Sequence, residues 1–453
     1  MKVDTHRQTE RRPMRRPPVA GGARRVGAGP PPSPGLKEML LLERVGGGEG
    51  AGAGGKRLRI PRSVPSATEA EGEGPPELSA PLERALRLHW THGHGQVPRG
   101  FHRLTHGFHP YPAGLQAATV AELLAADGLL PGDSVLDPFV GGGTVLVEGM
   151  RAGRATFGRD LSPLAEFCAT YRTWRPGPAA LAELTARAAA VGGLLEAEDV
   201  AGRSARERWA VLQAGIISET ADHPALASPL LFCLSAVLQR SGKRRSRGRH
   251  GRRGRGQRPQ RPQQLFVAAV ADYVVRVEEL QDATAGAPDP DIARQDARAF
   301  SVPEPVDAVV TSPPYPAVYD YLSSARSARH FTADVSVGHS ELAFDSVAVP
   351  SGRDWSRDWD SGGEIGSKQS LKKAPREFDD RWQGDQEAWL GRVHAALKAG
   401  GRAAINIGDG TNDIVDTKRS VRAAAEGIGM TFLAAATLRS RSKMTEHIVL
   451  LEK

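Results

Sequence analysis

One stretch constrains the fold more than any other. The apolar run 134–136 breaks into Asp137-Pro-Phe-Val-Gly-Gly-Gly-Thr144, and helical periodicity resumes over 145–151. A strand, a glycine-rich turn and a helix in immediate succession form the opening unit of an α/β sheet, a fold that gathers ligands at the carboxyl ends of its strands. The alternation continues. A second strand over 155–159 ends on Asp160 and leads into a helix over 163–171; strand character returns at 306–310. The chain closes as helix 386–398, strand 402–407, helix 418–426 and two strands, 431–437 and 447–451, which read as a hairpin on a sheet edge.

Around this pattern lie segments of other character. The 51 glycines and 33 prolines among 453 residues imply much irregular chain. Residues 1–76 are Gly, Pro, Arg and Ala with one short apolar patch at 39–42, which predicts a disordered tail. The expected domain organisation is that tail, a first part of the α/β domain over 77–175, a helical insert over 176–290 and the second part over 291–453. The segment 323–381 reads as a loop-rich surface excursion, with Trp355 and Trp359 among its few large apolar residues.

The net charge of +8 is local: ten Lys or Arg fall between Lys243 and Arg261 with no acid among them, and the remainder of the chain is slightly acidic. Such a run suits phosphate contacts that do not depend on base sequence, or simply a solvated loop. It lacks interleaved aromatics, so it is not a base-stacking platform. The two cysteines, Cys168 and Cys233, are too few for a disulfide framework or a four-thiolate zinc site and read as buried apolar residues. No metal is expected. No apolar run reaches about 18 residues; even 265–277 is interrupted by Asp272. With no apolar segment behind Lys2 and Arg7, the expected location is cytoplasmic, away from membranes.

Two half-sites emerge. In the first, Gly141 and Gly143 allow backbone to approach a ligand closely. The spacing lacks both the Gly-x-Gly-x-x-Gly fingerprint and a following Gly-Lys-Ser/Thr, so dinucleotide and phosphate readings lose their key residues. Asp160, about twenty residues on at the next strand end, stands where an acid accepts hydrogen bonds from a ribose diol; as a local feature it equally suits a helix N-cap. Asp296 is placed to accept from an adenine amino group, or is an ordinary surface acid.

The second half-site is Ser312-Pro313-Pro314-Tyr315, directly after the strand at 306–310. Two prolines fix a rigid extended turn and set the direction of the carbonyls around it. That geometry suits one difficult nucleophile. An exocyclic amine on a nucleobase has its lone pair delocalised into the ring, and acceptors in the amino plane hold its protons and free the lone pair toward a methyl donor. Ser312 Oγ and the Pro313 carbonyl are the candidate acceptors, with Tyr315 packing on the ring. Tyr319 and Tyr321 follow closely enough to meet the same base. A base in a duplex reaches such a turn only when flipped out of the stack. Pro-Pro-Tyr also occurs in ordinary loops and partner-binding segments.

Asp137 to Thr144 together with Thr311-Ser-Pro-Pro-Tyr315 resembles the paired cofactor and catalytic motifs of the DNA N4-cytosine and N6-adenine amino-methyltransferase family. Gly107-Phe-His-Pro-Tyr-Pro-Ala113 resembles the element just upstream. The resemblance spans roughly 107–171 and 296–453. It implies a Rossmann-like class I methyltransferase fold, with a mostly parallel seven-stranded sheet whose last strand is antiparallel, here carrying a helical insert. It further implies S-adenosyl-L-methionine as cofactor, held by Tyr111, Asp137, Pro138, Phe139, Gly141, Gly143, Thr144, Asp160 and Asp296, with Ser312, Pro313, Pro314 and Tyr315 catalytic. Serine at the first catalytic position favours cytosine N4 in double-stranded DNA, as in restriction-modification systems. Adenine N6, an RNA or protein amine, and an inactive nucleic-acid-binding scaffold are the alternatives.

Overall fold

The computed structural model describes residues 70–91, 104–111, 114–195, 205–247, 261–322, 363–410, 414–439 and 445–453. Among the described residues there are eight strands, β1 (Ala70–Glu73), β2 (Ser134–Asp137), β3 (Ala155–Asp160), β4 (Asp291–Arg294), β5 (Val306–Thr311), β6 (Leu397–Gly408), β7 (Thr431–Arg439) and β8 (Thr445–Glu452). They form one sheet in the order β1-β7-β8-β6-β5-β2-β3-β4. Neighbours from β6 through β5, β2 and β3 to β4 are parallel, while β8 runs antiparallel to both β6 and β7. The chain therefore steps outward from β2 to β3 and β4, then returns to the other side of β2 for β5 and β6. That reversal makes the carboxyl end of β2 the switch point at which such sheets open a crevice.

The sheet is Rossmann-like and mostly parallel with an antiparallel last strand, as expected, but two details differ. An eighth strand is present: β1 pairs antiparallel with β7 over Ala70↔Leu438 to Glu73↔Ala435. The closing hairpin is accordingly not an edge, since β8 lies inside the sheet and β1 covers β7. Both β1 and the start of helix α1 (Pro76–Thr91) fall within the stretch expected to be a disordered tail. The sequence Ala-Glu-Gly-Glu has no apolar run to announce a strand. It is held by backbone pairing and by ion pairs from Glu73 to Lys418 and Arg422. The rest of the expected tail, 1–69, lies outside the described residues, as do Trp355 and Trp359.

The central strands are buried on both faces, and their side chains alternate between two cores. One holds Leu136, Val309, Ile405, Val449 and Leu451, packed under Trp382, Trp389 and Val393 of α10 (Phe378–Ala396) and Val421 of α11 (Thr417–Gly427). The other holds Val135, Ala308, Val310, Ala404 and Leu450 beneath Leu82 and Leu86 of α1 and Val120 and Leu123 of α2 (Ala117–Ala125). This two-sided burial is why these strands read as continuous apolar runs. Helices α3 (Thr144–Arg151) and α4 (Pro163–Arg172) follow β2 and β3 as expected.

The insert is helical, formed by α5 (Pro178–Gly193), α6 (Ala205–Glu219), α7 (Ala227–Arg247) and α8 (Pro262–Ala283). It shares a third core with α4 and with Phe108: Phe167 and Cys168 pack with Leu184, Phe232, Cys233 and Tyr273. Both cysteines are buried and unpaired with each other. The basic run begins in the last turn of α7, and its centre, 248–260, lies outside the described residues. A short helix, α9 (Lys368–Lys373), and the beginning of α10 lie where a loop excursion was expected. No described helix is long and apolar enough to cross a membrane.

Candidate functional site

Because β2, β3, β4 and β5 are parallel neighbours, their carboxyl ends meet on one side of the sheet, and a cleft enclosing about 860 Å³, open mouth included, lies there. Of the residues singled out from sequence, Tyr111, Asp137, Pro138, Phe139, Gly141, Thr144, Asp160, Asp296, Ser312 and Pro314 line it. Residues far apart in the chain are thus brought to one wall: Asp137 ends β2, Asp160 ends β3, Asp296 follows β4 and Ser312 follows β5.

A single hydrogen bond ties the two half-sites together. Thr311 Oγ1 donates to Asp137 Oδ1 over 2.6 Å, fixing the last residue of β5 against the last residue of β2. Phe139 N donates to the same oxygen at 3.0 Å and closes the turn. Asp137 is 3% exposed. Burial raises its pKa to about 7, opposed by these two hydrogen bonds. Asp160 receives Gly141 N on Oδ2 at 2.9 Å and Ser162 N on Oδ1 at 2.8 Å. Burial, partly offset by those amides, lifts its pKa to about 6, and the carboxylate of Glu364 adds to the rise. Asp160 lines the cleft and its carboxylate organises the glycine-rich turn, whereas the N-cap of α4 is Ser162, so the helix-cap reading of Asp160 does not hold.

The glycine-rich turn is shaped by close approach. A methyl group on Gly142 would stand 2.6 Å from Arg172 Nη1, and one on Gly141, at φ +48, would stand 3.1 Å from the Tyr111 ring. Buried Arg172, at the end of α4, donates to Gly142 O at 2.7 Å and to His109 O at 2.6 Å, so one guanidinium spans the turn and the segment bearing Tyr111. Gly143 does not line the cleft; it caps α3 at φ 78 and abuts the Ala169 backbone of α4, a packing position.

Pro313 and Tyr315 likewise do not line the cleft. Pro313 is buried. The Tyr315 ring lies against Gly408 of β6, where an added methyl group would be 2.7 Å away, and its hydroxyl accepts Asn406 Nδ2 at 2.9 Å. Tyr321 lines the cleft and Tyr319, beside it at 5.4 Å between ring centroids, is 39% exposed. The turn is braced from behind: Ala317, at φ 54, donates its amide to Gly366 O at 2.8 Å.

Several lining residues carried no sequence signal. Asp296 is engaged by Arg298, whose Nε and Nη2 reach it at 3.0 and 2.7 Å, while Nη1 bonds Asp385 of α10 at 2.8 Å. Burial raises the Asp296 pKa, but Arg298 outweighs it and the carboxyl is held below its usual value. Buried Glu364 lines the cleft and accepts the amides of Tyr321, at 2.8 Å, and Leu322. More than forty residues separate it from the amides it holds, so neither spacing nor periodicity marks it. Among the described residues no cluster of His, Cys, Asp and Glu is arranged to hold a metal.

No family model matches the sequence, and no curated protein matches it. Among solved structures, TrmN from Thermus thermophilus is similar at 13% identity and a TM-score of 0.31, over 75% of this chain. The match spans 50% of the length of that protein. The rRNA methyltransferase aviRa from Streptomyces viridochromogenes is similar at 15% identity and a TM-score of 0.29, over 79% of this chain and 88% of its own.

Proposed function

We propose that this chain is an S-adenosyl-L-methionine-dependent methyltransferase acting on an exocyclic amine of a nucleic-acid base, with N4 of cytosine in DNA as its substrate. The observation that carries the reading is the Thr311–Asp137 hydrogen bond of 2.6 Å, which sets the serine-proline turn and the glycine-rich turn on one cleft. The residues fit that cofactor. Asp160 retains acceptor capacity beyond the amides of Gly141, Leu161 and Ser162 for a ribose diol. Phe139, Ala297 and Ile365 give the cleft apolar wall, and Asp137 gives it a buried carboxyl. The net positive charge of the cofactor matches a cleft lined by Asp137, Asp160 and Glu364.

S-adenosyl-L-methionine supplies the activated methyl group; the chain supplies position. Ser312 Oγ, at the cleft, accepts a proton of the amine, so its lone pair turns toward the donor. The prolines keep that acceptor from relaxing, and alignment of this kind removes several kcal/mol of barrier, on the order of 7–11 in favourable cases. Tyr321 lies at the cleft wall with the exposed Tyr319 ring beside it, and these are the aromatic faces offered to an extruded base.

The test is methyl transfer from labelled cofactor to unmethylated duplex DNA by the purified chain and its Ser312→Ala variant, followed by nucleoside analysis. N4-methylcytosine, reduced roughly a hundredfold in the variant, is the expected result. N6-methyladenine would keep the mechanism and change the base. Cofactor binding without a DNA product would move the acceptor to RNA or protein. Absence of cofactor binding would leave a nucleic-acid-binding scaffold.

A further inference from the structure

Behind the Tyr315 turn lies a buried polar cluster that the positioning chemistry above does not use. Glu446 of β8 is 4% exposed, and its Oε2 has no hydrogen-bond partner. Desolvating a carboxylate without full compensation is expensive, so its retention calls for a reason. Opposite it on β6 is Gly408. A methyl group there would stand 2.7 Å from the Tyr315 ring and 3.1 Å from Glu446 Cγ, so the glycine lets ring and acid approach. On the far side, His89 of α1 places Nε2 3.5 Å from Glu446 Oε2. The Tyr315 hydroxyl interacts with both the Ser312 side chain and the Glu446 side chain.

The polarity of this chain is fixed by what each group is able to do. Asn406 Nδ2 only donates, and it fills one lone pair of the Tyr315 oxygen. The Glu446 carboxyl oxygens accept, so the Tyr315 O–H is directed toward them. The remaining Tyr315 lone pair takes the O–H of Ser312. Ser312 Oγ is then left presenting lone pairs, not a proton, to the cleft, which is the orientation an amine acceptor must have.

Resting on the methyl-transfer reading above, we propose that Glu446 is the positioning residue for Ser312 and the final internal acceptor of the proton that the substrate amine gives up. As the amine nitrogen forms its bond to the methyl carbon, the carbon–sulfur bond breaks and its electron pair stays on sulfur. The nitrogen, now cationic, releases one proton to Ser312 Oγ; the Ser312 proton passes to the Tyr315 oxygen and the Tyr315 proton to the Glu446 carboxylate. His89 is the next group outward. No oxidant, reductant or further reactant is needed.

The experiment compares the full-length wild type with Glu446→Gln, Tyr315→Phe and the double variant in single-turnover methyl transfer, with cofactor affinity, KM and thermal unfolding measured alongside. Glutamine keeps the size and one acceptor oxygen but takes no proton. Each single variant is expected to lose roughly a hundredfold in kcat with KM and cofactor affinity within about threefold, and the double variant to lose no more. A second readout does not depend on turnover rate: infrared difference spectra on methylated-product formation gain a protonated-carboxyl band in the wild type that Glu446→Gln lacks. Undiminished kcat in Glu446→Gln, losses that multiply in the double variant, or absence of the band in wild type would each overturn the relay. If Glu446→Gln unfolds, Tyr315→Phe decides alone, since it keeps the ring and removes only the hydroxyl; a rate within threefold of wild type overturns the proposal. A wild type that transfers methyl to no amine removes the underlying reading itself, a result distinct from an active wild type with an unaffected variant.

Discussion

Both hydrogen bonds to the Asp137 carboxyl land on Oδ1, so an asparagine with its oxygen there keeps both while losing the charge. This makes Asp137→Asn a clean probe of what the charge costs. With a folded pKa near 7 against an ordinary value near 4, the native state holds its proton more tightly than the unfolded chain does. The associated stability is present in full below about pH 4 and is lost as pH rises through 7, up to about 4 kcal/mol at 1.36 kcal/mol per unit. The ligand-free variant should melt higher than wild type at pH 8 and lose the Asp137 part of the fall in stability between pH 4 and 7, keeping the part that Asp160 contributes up to about pH 6. Indistinguishable melting curves at pH 8 would count against a buried charge at this position. Cofactor binding carries the opposite sign. A net cation favours the ionised forms of Asp137 and Asp160, so affinity should rise from pH 5.5 to 7.5 with proton release, measurable by calorimetry in buffers of different ionisation enthalpy. Gly408 gives a steric counterpart: Gly408→Ala forces Tyr315 or Glu446 aside, with an expected loss of about 1–3 kcal/mol in unfolding and a larger proportional loss of activity. Asp160 and Ser312 were legible at this scale because one ends and the other directly follows a strand that periodicity reveals. Arg172, Glu364 and Glu446 were not, because their significance is purely one of position in space.

At the scale of elements, the segment bearing Tyr111 is held by its carbonyls. Arg172 of α4 takes His109 O, Arg276 of α8 takes Leu104 O at 3.3 Å and His106 O at 2.9 Å, and Arg240 of α7 takes Phe108 O. The Phe108 ring lies 5.2 Å from the Arg240 guanidinium and 5.6 Å from that of Arg276. The insert therefore does more than decorate the sheet, because two of its helices fix a wall of the cleft. Arg276→Leu keeps bulk on α8 but frees two buried carbonyls, for an expected loss of about 2–4 kcal/mol. The discriminating measurement is hydrogen exchange: amides of 104–111 should exchange faster, those of β2 and α3 should not, and cofactor affinity should fall at least tenfold. Uniform acceleration across the sheet would mean simple global destabilisation. Element boundaries were legible where apolar periodicity is strong and were missed where it is not. Helix α10 starts at Phe378, ahead of the expected 386, because its first turns carry Asp379 and Asp380, acids that suit a helix N-terminus but interrupt the apolar pattern. The four half-exposed residues of β4 offered no run at all.

For the whole molecule, strand order was not legible, since nothing local states that β8 inserts between β6 and β7 or that β1 covers β7. Charge distribution, by contrast, is a sequence property with a consequence at this scale. The ten basic residues between Lys243 and Arg261 account for more than the entire net charge of +8, so without them the chain repels a polyanion at long range. The run joins α7 to α8, the two insert helices that hold the Tyr111 segment. If it grips phosphates, each contact contributes about −0.9 to the slope of log affinity against log salt concentration for duplex DNA. Replacing the ten residues with glutamine should therefore flatten that slope by several units and weaken duplex binding most strongly at low salt. Cofactor affinity should be unchanged, because every residue assigned to the cofactor lies outside the run. Filter binding across a salt series, with cofactor titration on the same preparations, separates the two. An unchanged slope would mean that the run is only solvated chain, and that nucleic acid is held by the cleft face of the sheet alone.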